Sequence, residues 1–294
     1  MNHRTAVVLH AALCALAAML VRARPLASQS ASAAHAALPA DRVPADRVPA
    51  HDSFTVASRA LGEPRLVNVY TPAAYRGADS SSGRRFPVLY MPDGGLDEDF
   101  PHVVDTVDSL IALGVIRPVI VVGIPNTQRR RDLTGPTRVA ADSAIAPRVG
   151  GSAAFRQFLR EELIPAVAAR YRTTGERAIV GESLAGLFVV ETFLLEPALF
   201  DRYVALDPSL GWDRRSLVDS LAPMRLAAMD GRERRLFLAS SSTPEIAAPT
   251  ARLAERLGTA RRPGLSWSYE PRLDLTHATI FRAIGPKALA TVLE

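Results

Sequence analysis

The residues best placed to do chemistry are a serine and a histidine. In Gly181-Glu-Ser183-Leu-Ala185-Gly186 a serine is flanked two positions away on each side by small residues. A short apolar, strand-like run, Ala178-Ile-Val, precedes it, and an apolar run from Leu184 to Leu195 follows. A sharp strand-to-helix turn brings the residues at −2 and +2 close together, so both must be small. It also lifts the serine hydroxyl clear of the backbone. The Leu184 amide then lies at a helix start, aimed where an oxyanion would develop. Gly150-Gly-Ser152-Ala-Ala154 fits the same spacing, but Ala146-Pro-Arg-Val before it is a poor strand. Ser152 reads better as a helix N-cap. Ser183 is therefore the candidate nucleophile; the plainer alternative is a serine at an ordinary strand–helix turn.

Of the six histidines, His3, His10, His35 and His51 precede the region with regular patterning, which leaves His102 and His277. In a sheet of this kind the base follows the nucleophile and the acid along the chain. His277 satisfies that order, in the polar loop Asp274-Leu-Thr-His277 before a final helical segment. His102 lies early, at a helix start, and reads as a surface residue. An imidazole titrating near neutrality can take the serine proton and return it to a leaving group. The third member is less determined. Glu245 follows the strand-like Leu236-Phe-Leu-Ala239 and is the first choice, although a glutamate there also suits a helix N-terminus. Asp207 and Asp274 are alternatives, as is a dyad without an acid. Asp93-Gly94-Gly95 offers a backbone N–H, that of Gly95, as a second oxyanion donor, and a plain glycine turn is the rival reading. Arg129 and Arg130, in Asn126-Thr-Gln-Arg-Arg-Arg-Asp132, could pair with a carboxylate or catecholate of a substrate. A solvated charge run is the blander account.

These residues need a scaffold that gathers them at one end. Strand-like segments occur at Leu66–Thr71, Phe86–Met91, Pro118–Ile124, Ala178–Gly181, Tyr203–Leu206, Leu236–Ala239 and Leu265–Tyr269. Helical spacing occurs at Val103–Leu113, Ser152–Tyr171, Leu184–Leu195 and Ala278–Leu293. Alternation at this length implies a mostly parallel sheet with helices on both faces. In such a sheet, sites form beyond the carboxyl ends of the strands. No linker interrupts residues 52–294, which form one α/β domain.

The N-terminal residues read differently. A short positive start, an apolar run from Ala6 to Val21 and small residues from Ala27 to Ala34 make residues 1–31 a secretory signal peptide. Arg22 and Arg24 behind the apolar run keep an uncleaved anchor as the alternative, and that anchor is the sole membrane connection expected. Residues 32–51 contain Pro39-Ala-Asp-Arg-Val43 repeated as Pro44-Ala-Asp-Arg-Val48 and read as a flexible Ala/Pro-rich tether. The only cysteine, Cys14, lies in the signal, so the exported chain has no thiol for a disulfide, a nucleophile or a zinc–cysteine site. The formal charge of +5 comes from 35 basic against 30 acidic residues. Three of those arginines, with no acid, lie in the signal, which leaves too little excess for a nucleic-acid footprint.

Taken together, the sequence resembles the putative-esterase family of α/β-hydrolases, which includes esterase D-like and enterobactin-type siderophore esterases. Asn68-Val-Tyr-Thr-Pro72, Pro87-Val-Leu-Tyr-Met-Pro-Asp-Gly94, Val121–Thr134, Gly181–Phe188, Asp207-Pro-Ser-Leu-Gly-Trp212 and Thr276-His277 carry the likeness. The resemblance implies an α/β-hydrolase fold with Ser183 as nucleophile, His277 as base and the 94–95 turn as oxyanion loop. It further suggests Trp212 and the arginine run as substrate-binding. Ala185 and Ala278 stand where the family more often has glycine. The expected protein is an exported serine carboxylester hydrolase acting on a small-molecule ester, siderophore-like or aryl/acyl, without metal or organic cofactor. The alternatives are an acyltransferase on the same residues and a ligand-binding module without turnover.

Overall fold

The computed structural model describes residues 50–76 and 83–294. The expected signal peptide, Cys14 and the duplicated pentapeptide lie outside the described residues. Where the domain was expected to begin, β1 (Asp52–Ser58) starts a hairpin with β2 (Glu63–Tyr70). β1 was not anticipated as a strand, although Phe54 and Val56 alternate with polar residues in the period-two pattern of a half-buried edge. The remaining strands are β3 (Phe86–Pro92), β4 (Ile120–Ile124), β5 (Thr173–Glu182), β6 (Arg202–Leu206), β7 (Arg234–Ser240) and β8 (Leu265–Pro271). They form one eight-stranded sheet in the order β1-β2-β4-β3-β5-β6-β7-β8. β1 and β2 pair antiparallel, as do β2 and β4, and the other pairs are parallel.

The parallel strands are covered on both faces, and their side chains divide accordingly. Phe86, Val88 and Tyr90 of β3 enter one core, while Leu89 and Met91 enter the other. Helices α1 (Phe100–Ala112) and α5 (Ile280–Leu293) close the second core. The first is closed by α2 (152–170), α3 (Ser183–Leu195) and α4 (Pro244–Ala260). α2 runs Ser152–Phe158, then a π turn at Leu159–Leu163, then Ile164–Arg170. The expected uninterrupted helix thus contains an extra residue in one turn, just ahead of Pro165, whose missing N–H could not serve a regular turn. Every residue of β4 is buried, as a β-branched run in the middle of a parallel sheet requires. β4 starts at Ile120 rather than at Pro118. This is the α/β-hydrolase fold, and β3 through β8 all end at the same edge.

Candidate active site

The turn after β5 is as tight as its sequence implies. Ser183 has φ 57°, a left-handed value that L residues adopt only under constraint. A Cβ added to Gly181 would lie 2.6 Å from the Ala185 carbonyl carbon and 2.8 Å from its Cβ. Glycine is therefore obligatory at 181, because the nearest atoms are the backbone carbonyl of residue 185, present whatever its side chain. Gly186 passes close to Pro208, whose Cα would lie 3.0 Å from an added Cβ. The loop after β6 is thereby held against the start of α3.

Pairing register brings the acid to this turn. β5 and β6 run parallel with Glu182 opposite Leu206, so the next residues, Ser183 and Asp207, emerge side by side. Asp207 also has a left-handed φ, 46°. His277 comes from the loop between β8 and α5. Its Nδ1 lies 2.6 Å from Asp207 Oδ2 and its Nε2 lies 3.1 Å from Ser183 Oγ. An ionised aspartate can only accept, so Nδ1 carries the proton and Nε2 accepts from the serine hydroxyl. The Ser241 amide and hydroxyl donate to the other faces of the Asp207 carboxylate, at 2.6 and 2.8 Å.

Glu245, the first choice for the acid, does not occupy this position. It is exposed in the first turn of α4. The chain beyond β7 turns at Ser241 to support Asp207 and reaches Glu245 only after entering the helix. Asp274 is likewise placed elsewhere, in an exposed ion pair with Arg272. Position after a strand end does not distinguish Asp207 from Glu245, whereas pairing register does. Ser209 was not anticipated: its amide donates to the Ser183 carbonyl at 3.0 Å and its Oγ lies 3.4 Å from Ser183 Oγ.

The electrostatics favour a proton on the imidazole. Burial opposes charge on Asp207, whose side chain is 0% exposed, but the bonds from His277 and Ser241 outweigh it and hold the carboxyl below the usual range. His277 is raised above 6.5, chiefly by its bond to Asp207, with burial opposing and the charge of Glu182 adding to the rise. Glu182 itself is pushed up to about 7 by burial and by its acidic neighbours Asp99, Asp207 and Asp93. Its Oε1 is shut off from solvent without a hydrogen-bond partner. Continuing the β3–β5 register past Tyr90 and Ile179 brings Asp93 level with Glu182.

The other expected site residues divide. The Leu184 amide lies in the first turn of α3, beyond the reach of intrahelical acceptors. The Gly95 amide is engaged, donating to Glu98 Oε2 at 2.7 Å. The three-residue spacing lets that carboxylate curl back on the turn, and the Asn126 side chain donates to its other oxygen at 2.7 Å. Arg129 is committed to a two-bond pair with Asp93, both at 2.7 Å. Arg130 is exposed and, with Arg148, lines a hollow of about 290 Å³. The Trp212 indole N–H donates to the Gly135 carbonyl at 2.8 Å. His102 lies beside Arg282 and Phe281 on α5. Ser152 is the first residue of α2 rather than its cap, a position taken by Gly151.

A serine at a strained elbow, a histidine after the last strand and a buried aspartate between them in the chain give this α/β-hydrolase fold the geometry of a serine hydrolase. The chain belongs to the Putative esterase family, whose model matches residues 58–240. It is 31% identical over 150 residues to the ferri-bacillibactin esterase BesA of Bacillus subtilis, covering 44% of this chain and 50% of that protein. It is 31% identical over 166 residues to the siderophore triacetylfusarinine C esterase of Aspergillus fumigatus, covering 52% and 53%. The chain spans about half the length of the curated relatives it matches. Among solved structures, the IroE-like serine hydrolase of Shewanella oneidensis superposes with a TM-score of 0.72 at 27% identity, over 82% of this chain and 79% of that one. Among the described residues, no helix is long and apolar enough to cross a membrane.

Proposed function

We propose that the protein is an exported serine carboxylester hydrolase that forms an acyl-enzyme on Ser183. One observation carries the reading: the unbroken line from Ser183 Oγ through His277 to a sealed Asp207. Ser183 Oγ attacks the ester carbonyl carbon while His277 Nε2 takes its proton. The carbonyl oxygen, now negative, is held by the Leu184 amide, and by the Gly95 amide once the substrate displaces Glu98 from it. The C–O bond to the alcohol breaks, and the alcohol leaves with the proton from His277. Water, deprotonated by His277, then attacks the acyl carbon, the carboxylic acid departs and Ser183 regains its hydrogen. Asp207 fixes the tautomer and stabilises the imidazolium in both halves.

Export rests on the composition of residues 1–31. The family and the siderophore esterases among its relatives make siderophore-type or aryl and acyl esters the substrate class to test. Arg130 and Arg148, which line one hollow, would pair with an anionic substrate there, since Arg129 is held by Asp93. The decisive experiment is fluorophosphonate labelling of the purified protein with peptide mapping. A stoichiometric adduct on Ser183, lost in Ser183→Ala, is the expected result. Folded protein without an adduct overturns the reading.

A further inference from the structure

A cleft of about 410 Å³ opens beside the nucleophile, between residues 135–138 on one side and 212–221 on the other. Two chains of contact place it there. Leu187 in its floor is four residues along α3 from Ser183, about one helical turn and on the same side of the helix. Trp212 in its wall donates its backbone N–H to the Ser209 carbonyl at 3.3 Å. Ser209 Oγ in turn lies 3.4 Å from Ser183 Oγ. The reacting oxygen thus has His277 Nε2 at 3.1 Å and Ser209 Oγ at 3.4 Å, and Ser209 connects it to Trp212 of the cleft.

The lining says what the cleft accepts. Leu187, Leu217, Leu221, Pro136 and the Trp212 ring are apolar, and the indole N–H is already spent on Gly135. The charged groups of the lining are paired: Arg138 with Asp213 at 3.6 Å, and the buried Glu191 with Arg156 at 3.0 Å. The two walls are also tied together. Asp213 Oδ1 accepts from the Arg138 amide at 2.8 Å, and Asp142 Oδ2 accepts from the Asp213 amide at 2.8 Å. These ties hold Asp213, Arg214 and Arg215 in three successive left-handed conformations, φ 45°, 54° and 63°. A preformed apolar slot of this volume matches one small organic group.

Resting on the proposed ester hydrolysis, we infer that this cleft is the acyl pocket, taking one aromatic ring or one straight acyl chain of the substrate. His277 must hand its proton to the departing alcohol, so the alcohol lies on the imidazole side. The acyl group is then directed along the Ser209–Trp212 wall into the cleft. A multi-ring chelate bound whole does not fit; a single aryl arm does.

Two measurements test the assignment. The first compares kcat/KM for p-nitrophenyl acetate, octanoate and cinnamate between the native protein and the variants Ser220→Trp and Leu221→Trp, which fill the cleft from its wall. The octanoate-to-acetate and cinnamate-to-acetate ratios fall at least tenfold in a folded variant; ratios within twofold of native overturn the pocket. The second titrates octanoate and cinnamate into a Ser183→Ala, Trp267→Phe chain, whose one remaining tryptophan is Trp212. Saturable change in Trp212 emission, abolished by Ser220→Phe, supports the pocket, and its absence overturns it. Saturable binding with no hydrolysis of any ester by the native protein overturns the catalytic reading while leaving the apolar site standing.

Discussion

At the scale of single residues, the three side chains in line differ in what their loss costs. Asp207→Asn keeps the shape but leaves His277 Nδ1 facing a group that can donate, which favours the wrong tautomer. The rate constant kcat for ester hydrolysis should fall by about 10³–10⁴. Glu245→Ala should stay within about twofold, since an exposed side chain away from the site is removed. Steady-state kinetics on one ester separates the two. Proton occupancy gives a second prediction. The proposed mechanism needs neutral His277, so the rate should decline as pH drops through its pKa, which the bond to Asp207 raises above the usual histidine value. Glu182→Gln removes a neighbouring negative charge, so the acid limb of the kcat/KM profile should move to lower pH. Stability should respond as well. Glu182 at about 7 and Asp99 at about 6 bind protons more tightly folded than unfolded. The fold therefore loses stability as pH rises from about 4 towards 7, and Glu182→Gln should flatten that slope in urea titrations between pH 4.5 and 7.5. The serine and histidine could be read from local sequence because each carries its own signature, an elbow and a position after the last strand. Asp207 could not be singled out: twelve carboxylates between 183 and 277 share its position in chain order, and only the pairing of β5 with β6 selects among them.

At the scale of elements, the β5 elbow sets the tolerance of the site. Gly181→Ala places a methyl group 2.6 Å from the Ala185 backbone, where neither the strand nor α3 has slack. A cost of about 3 kcal/mol is expected, within the range for backbone-level clashes. Chemical denaturation reads the loss, and fluorophosphonate labelling should fall in whatever protein remains folded. The central strands were legible because buried parallel strands are continuous apolar runs between turn residues, as in β4. β1 carries no such run, because an edge strand shows one apolar face and reads as polar chain. The π turn in α2 had no signal beyond Pro165. The capture of the Gly95 amide by Glu98 was invisible for a related reason: glycine pairs announce a turn without showing which side chain folds back onto it.

At the scale of the whole molecule, the site depends on ties far from it in sequence. Arg65 on β2 and Asp132, both 1% exposed at the side chain, pair at 2.6 Å. Arg65 also packs against the rings of Phe155 and Phe158, at 5.4 and 5.8 Å. This buried pair joins the antiparallel edge of the sheet to the loop carrying Arg129 and Arg130. Arg65→Met takes one of two arginine partners from the buried Asp132, whose Oδ1 keeps Arg131 Nε at 2.6 Å, and should destabilise the protein by about 1.5–3 kcal/mol. The paired change Arg65→Met, Asp132→Leu should recover most of the loss, as urea denaturation of both variants will register. The α/β class was legible at this scale from alternation alone, whereas such a long-range pair has no local pattern.

The uneven exposure of the relay carries a consequence for how turnover is paced. The His277 side chain is 43% exposed while Asp207 is sealed, so the imidazole meets bulk solvent at the same time as it is held from behind. In the hydrolysis proposed above, the water of the second half would reach the imidazole from this open side. Raising the viscosity with sucrose is therefore expected to leave kcat for p-nitrophenyl acetate unchanged; a kcat that falls in step with viscosity would put departure of the spent acid, rather than bond-making, in control.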